Sequence, residues 1–219
     1  MTWFVGEFGA DVLRRDVVTP TPEFFPGEFH GSDDEVLALI HRVCGWFDVD
    51  TDRVTVEFYG DHGERQLSEA MGLTSQWAAA AGHYRRENGR AILGIDRTLA
   101  VTPVRMVATV AHELCHVLLL DDGRITGDRA DHEPLTDLLT VYFGLGVFSA
   151  NAAFEYTQTM HRRSTSTLGY LSEPMFGYGL ACHAMLRGER KPDWADHLDP
   201  NPRAVMKRGL RYLAEHPFR

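Results

Sequence analysis

Cysteine is scarce in this sequence, with only Cys44, Cys115 and Cys182 among 219 residues. An odd number at such wide separations differs from the dense, even-numbered disulfide frameworks of small secreted proteins. The N-terminus also lacks the basic lead-in of a signal peptide, and it reaches the acidic Glu7 and Asp11 before an apolar core can form. We therefore expect three buried thiols in a cytoplasmic protein.

Positive charge and long apolar runs are also limited. The 22 lysines and arginines against 31 aspartates and glutamates give a formal charge of -9, which disfavours binding to nucleic acid or to an anionic membrane. The apolar stretch at 138–148 falls well short of the roughly 20 residues that a membrane-spanning helix needs. Repeats and Gly/Ser linkers are absent from the sequence, so we expect one domain over residues 1–219. Its first part, 1–31, is expected to be an irregular arm, because 16–31 are rich in proline, glycine and phenylalanine.

The first half of the chain predicts one long helix and a small sheet. Ser32 or Asp33 can cap a helix whose apolar side chains recur at helical spacing. Residues 53–59 alternate apolar and polar side chains, which is the periodicity of a strand. Two further strands, 82–86 and 90–96, flank an Asn-Gly pair that suits a tight hairpin turn. We expect these strands to form a small, mostly antiparallel sheet.

The second half of the chain predicts helices. Thr102 and Pro103 form a typical helix start, and the sequence up to Leu120 contains no helix breaker. Another helix is expected to begin near Glu133, after a loop rich in aspartate and glycine. The remaining helices are expected over residues 152–161, 174–186 with Ser172 as the cap, and 202–215. The predicted fold class is therefore α+β, with a largely helical C-terminal half.

The helix that follows Pro103 carries the run His112-Glu113-Leu114-Cys115-His116. Because residues four apart lie above one another on a helix, both imidazoles can converge on a single metal ion. Glu113 lies about 100° around the helix from His112, where a carboxylate can take a proton from metal-activated water. This pattern predicts a zinc site with Glu113 as the general base. The alternative is two helix histidines that merely pair with nearby carboxylates.

A catalytic zinc usually has three protein ligands and one open position, so one more ligand must come from elsewhere in the chain. The candidates cluster at Asp131, His132, Glu133 and Asp137, which lie far enough from His116 for the chain to turn back. Glu133 and Asp137 are one helical turn apart, so one can bind the metal while the other orients a ligand. Spacing alone leaves these candidates open.

In this region the sequence resembles the thermolysin-like gluzincin metallopeptidases. The resemblance lies in the His-Glu-x-x-His helix and in Glu133-x-x-x-Asp137, where Glu133 follows His116 after 17 residues, and it covers about 35 residues. It implies a zincin-like fold and one Zn²⁺ held by His112, His116 and Glu133. It also implies that Asp137 accepts a hydrogen bond from His112. His132 stands where the family commonly has asparagine, and this residue is an alternative ligand.

A peptidase of this class normally uses a tyrosine or histidine to stabilise the oxyanion of the reaction. Spacing does not select one. The candidates on the C-terminal segments are Tyr156, His161, Tyr170, Tyr178 and His183. Each of these residues is more common as a packing aromatic or a surface histidine, so the role is left without an assignment.

We expect a cytoplasmic zinc metallopeptidase that hydrolyses a peptide or protein substrate, with Glu113 moving a proton from the attacking water to the leaving amine. A second hypothesis is a regulatory protease of one protein partner, similar to the peptidases that cleave phage immunity repressors. A third is a non-catalytic scaffold or interaction domain whose zinc is structural and has four protein ligands.

Overall fold

A computed structural model of the chain describes residues 1–59, 82–159 and 170–216. This part of the chain is α+β, with helices and one three-stranded mixed sheet. The chain divides into two compact units, one of residues 28–126 and the other of the residues on either side of it. The predicted α+β class is confirmed, while the zincin-like detail and the single domain stay predictions.

The helices and strands are numbered in chain order. They are α1 (Thr2–Phe8), α2 (Asp33–Trp46), β1 (Val54–Tyr59), β2 (Gly82–Glu87), β3 (Arg90–Asp96), α3 (Pro103–His116), α4 (His132–Tyr142), α5 (Gly146–Thr159), α6 (Glu173–Leu186) and α7 (Pro200–Glu215). Short 3₁₀ helices occur at Ala10–Arg14, Thr51–Arg53, Arg97–Val101 and Asp193–His197. A π-helical turn, Val117–Asp121, continues α3 beyond His116.

The first 31 residues are only partly irregular. Residues 15–31 contain no helix or strand, but α1 and the 3₁₀ helix after it are regular, and Phe4 is almost fully buried. The ring of Phe4 packs 5.4 Å from that of Tyr142, whose hydroxyl donates a hydrogen bond to the Gly9 carbonyl at 2.7 Å. Arg187 donates to two further backbone carbonyls of this segment. The predicted irregular arm is therefore wrong for its first half, because buried aromatic and backbone contacts order it.

In the unit of residues 28–126, α2 begins with a capping box. The Ser32 hydroxyl accepts a hydrogen bond from the Glu35 amide at 3.4 Å, and the Glu35 carboxylate accepts one from the Ser32 amide at 2.9 Å. These two bonds satisfy backbone donors that the first turn of a helix would otherwise leave without partners. Ser32, one of the two residues predicted as candidates, is thus the cap.

The sheet of this unit has the strand order β1-β3-β2. Asn88 and Gly89 between β2 and β3 have φ angles of 51° and 82°, as a two-residue type I′ turn requires, so the predicted hairpin is confirmed. The prediction of a mostly antiparallel sheet is wrong, because β1 pairs with β3 in parallel. The chain between those two strands is long enough for the crossover that parallel pairing needs.

The helix α3 begins where the sequence predicted. Pro103 occupies its first turn, but the Thr102 side chain makes no capping hydrogen bond. Together with the π-helical turn, the segment Pro103–Asp121 is long and apolar enough to cross a membrane by length and composition. Most of the segment is buried inside the protein, which is typical of a core helix.

The helices after α3 lie close to their predicted positions. α4 begins at His132, next to the expected start at Glu133, and α6 follows Ser172 as expected, although that side chain makes no capping hydrogen bond. α5 begins at Gly146, earlier than predicted, and the predicted end of that helix at His161 lies outside the described residues. Local periodicity thus located these helices and gave the ends of α6 and α7 at Leu186 and Glu215, but it did not give the start of α5.

Candidate metal centre

His112 and His116 lie one turn apart on the same side of α3. Their ring centroids are 4.9 Å apart, and the ring planes are nearly perpendicular, at 82°. His116 is buried, with 6% of its surface exposed, whereas His112 is half-buried. The helix therefore presents two imidazoles that are close enough to share one ion.

In the described part of the chain, His112, His116 and Glu133 form the one group of three or more histidine, cysteine or acidic side chains that could hold a metal ion. Each offers one ligand atom, and these atoms all lie within 4.8 Å of one another. Two imidazole nitrogens and a carboxylate oxygen suit zinc, but they suit other transition metals as well. The three residues predicted as ligands are thus brought together in a group compatible with a metal ion.

The other ligand candidates next to Glu133 are not members of this group. Asp131 accepts a hydrogen bond from Nε of Arg129 at 2.5 Å. His132 donates from Nδ1 to the Arg129 carbonyl at 2.8 Å, and its Nε2 lies 3.2 Å from Oε1 of Glu133. Asp131 and His132 therefore have partners close to them in the chain, and Glu133 is the one of these three residues that belongs to the group with the two histidines.

Asp137 is buried on α4, one turn after Glu133. Its Oδ2 accepts hydrogen bonds from the backbone amides of Tyr170 at 2.5 Å and Leu171 at 2.9 Å, just before α6 begins. These bonds tie the start of α6 to the helix that carries Glu133, a role that the sequence pattern did not reveal. The predicted hydrogen bond from His112 to Asp137 stays a prediction.

Glu113 is buried on α3, with 5% of its surface exposed. Its neighbour on β2 is Gly82, where an added Cβ would lie 2.7 Å from Oε1 of Glu113 and 2.5 Å from Cγ2 of Thr109. A larger side chain does not fit there unless the side chains of Thr109 and Glu113, the strand or the helix shift. The absence of a side chain at Gly82 thus lets β2 approach the carboxylate closely.

We expect Gly82→Ala to lower the free energy of unfolding by about 1–3 kcal/mol, the usual cost of forcing an extra methyl group into a packed contact. Movement of the flexible Glu113 side chain alone cannot accommodate the added methyl group, because Cγ2 of the β-branched Thr109 also lies too close to it. Chemical denaturation measures the difference. Gly45→Ala on α2 is the control, since nothing lies within 4 Å of its added Cβ. Unchanged stability of Gly82→Ala would contradict the close packing of β2 on Glu113.

Tyr84 is a neighbour of His116 that the sequence analysis missed. The two ring centroids are 5.6 Å apart, and the ring planes differ by only 25°. The Tyr84 hydroxyl donates a hydrogen bond to Oδ1 of Asp121 at 2.5 Å. Burial, together with the Asp121 carboxylate, raises the pKa of Tyr84, so the hydroxyl stays protonated and acts as the donor. Alternation along β2 places Tyr84 on the same face as Gly82, but no local pattern shows that this face lies against α3.

The candidates for oxyanion stabilisation differ in their surroundings. His161 and the side chain of Tyr156 lie outside the described residues. His183 is 2% exposed, and its burial is the main cause that lowers its pKa to about 3, so it is a neutral core residue near pH 7. Tyr170 and Tyr178 have exposed rings. The oxyanion role therefore stays a prediction without an assigned residue.

The three cysteines are free and buried, as predicted. Burial raises the pKa of Cys44 to about 11, and burial is also the main cause that raises the pKa of Cys182. Thiols that stay protonated are poor nucleophiles and poor metal ligands. Cys115 lies inside the run from His112 to His116, but it is not a member of the metal-binding group.

The candidate metal centre consists of three gathered side chains, His112, His116 and Glu133. Glu113 follows His112 in the chain, and the ring of Tyr84 stacks on that of His116. These assignments come from the residues and geometry of this chain, since no family model, curated protein or solved structure matches it.

Proposed function

We propose that this protein is a zinc-dependent metallopeptidase. The observation that carries the proposal is the group of His112, His116 and Glu133, with ligand atoms within 4.8 Å of one another and Glu113 next to one ligand on the same helix. These three residues would hold the ion, and bound zinc supplies an activated water and polarises the carbonyl under attack. The proposal includes a peptide or protein substrate and a cytoplasmic location.

Glu113 is the residue that moves protons in this proposal. It accepts a proton from the attacking water and then delivers that proton to the nitrogen of the leaving amine. The peptide C–N bond breaks, and the products are an amine and a carboxylic acid, which loses its remaining proton to become a carboxylate. The burial of Glu113 supports this role, because a carboxylate shielded from bulk water keeps the proton for the leaving group.

The number of gathered side chains favours a catalytic ion over a structural one. Structural zinc sites are usually closed by four protein ligands, whereas catalytic sites keep one position open. Three side chains gather among the described residues, and two of them, His112 and Glu133, are only half-buried. This arrangement supports access of water and substrate to the ion, and it argues against the scaffold hypothesis.

Removal and return of the metal is the first test. We expect the purified protein to contain one zinc ion per chain and to cleave members of a peptide library, with products identified by mass spectrometry. Treatment with 1,10-phenanthroline should abolish cleavage, and added zinc should restore it, because the ion activates the water. Cleavage that survives complete removal of zinc would contradict the proposal. A zinc-loaded protein that cleaves neither peptides nor cellular proteins would overturn the peptidase assignment and leave the metal site standing.

A further inference from the structure

The strand β2 follows the face of α3 that carries the metal-binding residues. Gly82 and Tyr84 are two residues apart on this strand, so they point to the same side of the sheet. Gly82 lies against Glu113, and the ring of Tyr84 lies against that of His116. One strand thus contacts both the proposed general base and a proposed metal ligand.

Tyr84 contacts this helical segment at two points. Its ring stacks on His116, and its hydroxyl donates to Asp121, which lies five residues later in the π-helical turn. Oδ1 of Asp121 also lies 3.5 Å from Nε of Arg86, and the Asp121 side chain is only 9% exposed. Because His116 and Asp121 belong to one continuous helical segment, the tyrosine spans the turn that follows the ligand.

We propose that Tyr84 is a positioning residue for His116, held in its own position by Asp121. This inference rests on the proposed metal site and extends it to a residue that does not touch the ion. The flat tyrosine ring limits rotation of the neighbouring imidazole, and the hydroxyl anchor limits movement of the tyrosine. A ligand that is already oriented loses less conformational freedom when it binds, so the metal binds more tightly.

This role differs measurably from ordinary packing. A residue that only packs against α3 would change the stability of the metal-free protein and leave the affinity for zinc unchanged. A residue that orients His116 changes the affinity and the coordination geometry, as supporting partners of metal-binding histidines do. Zinc affinity and the spectrum of a bound metal therefore distinguish the two roles.

The zinc dissociation constant of the full-length chain, measured by competition with a chromophoric chelator, tests the proposal. Tyr84→Phe keeps the ring but removes the hydroxyl, and it should weaken zinc binding about 3- to 10-fold. Tyr84→Leu also removes the stacked ring, and it should weaken binding about 10- to 100-fold, the range found for supporting residues of metal sites. Asp121→Asn keeps a hydrogen-bond acceptor and should bind zinc nearly as well as the wild type. Asp121→Leu removes the acceptor of the Tyr84 hydroxyl and should weaken zinc binding as much as Tyr84→Phe does.

Cobalt(II) substitution gives a second readout. Its visible absorption bands report coordination geometry, so they should change in Tyr84→Leu and stay closer to those of the wild type in Tyr84→Phe. Tyr142→Phe is the matched control, because it removes a tyrosine hydroxyl that donates to the Gly9 carbonyl at 2.7 Å. This control should lower the stability of the metal-free protein without changing zinc affinity or the cobalt spectrum.

The possible results separate the two proposals. If the wild type binds zinc, and Tyr84→Leu binds it equally well with the same cobalt spectrum, the positioning role is wrong. If the wild type binds no zinc, the proposed function fails. Should Tyr84→Leu fail to fold by circular dichroism, the zinc dissociation constants of Tyr84→Phe and Asp121→Asn decide, since both changes are nearly isosteric. Weaker binding by Tyr84→Phe than by Asp121→Asn supports the positioning role, and equal binding by the two variants contradicts it.

Discussion

Glu113→Gln should strongly slow peptide hydrolysis while the protein keeps its zinc. Glutamine has nearly the same shape as glutamate, so the packing against Gly82 is retained, but its amide cannot accept the proton of the attacking water. General acid–base catalysis contributes about 10²- to 10⁴-fold, and we expect a loss of turnover in that range. Mass spectrometry of peptide-library products gives the rate, and elemental analysis gives the zinc content.

Glu23→Gln is the control for this experiment, because Glu23 is exposed and is not a member of the metal-binding group. It should cleave peptides at the wild-type rate. Undiminished hydrolysis by Glu113→Gln would show that another group moves the proton. Loss of zinc from that variant would contradict the expectation that Glu113 transfers the proton and that the three ligands alone hold the ion.

Zinc should stabilise the wild-type protein against unfolding, and His116→Ala should remove this stabilisation. A ligand that binds only the folded state, present at 100 times its dissociation constant, adds about 2.7 kcal/mol to the free energy of unfolding. His116 is the buried member of the three-residue group. Alanine has no ligand atom, so the variant keeps only two of the three metal ligands. Chemical denaturation with and without zinc measures the effect, and the difference between the two curves removes any change in the stability of the metal-free protein.

His41→Ala is the matched control, because His41 is an exposed histidine on α2. It should retain the full gain in stability with zinc. His112→Ala and Glu133→Ala should behave like His116→Ala, since each removes one donor from the same group. If His116→Ala gains as much stability from zinc as the wild type, the ion binds elsewhere and the candidate metal centre is wrong.

Features that depend on neighbouring residues could be predicted from the sequence. The hairpin turn needs two residues with positive φ, and Asn88-Gly89 is a pair that adopts this conformation at little cost. The start of α2 follows from Ser32 and Glu35, which satisfy each other's backbone amides. The spacing of His112 and His116 belongs to the same class, because helix geometry alone places them on one side.

Features that depend on residues far apart in the chain could not be predicted in this way. The parallel pairing of β1 with β3 and the packing of Phe4 on Tyr142 join distant segments, and neither leaves a local pattern. The stacking of Tyr84 on His116 is of the same kind. Glu133 was suggested by spacing and by the family resemblance, and only the three-dimensional arrangement shows that it, rather than His132, gathers with the histidines.

The π-helical turn after α3 has a consequence for how this segment tolerates change. The amide of Asp122 bonds to the carbonyl of Val117 at 3.3 Å, five residues back, so the turn holds one residue more than an α-helical turn. Deletion of a single residue there would restore α-helical geometry and rotate Asp121 by about 100° around the axis, away from Tyr84. The segment should therefore accept exchanges among apolar side chains but not a change in their number, which makes its length a more stringent constraint than its composition.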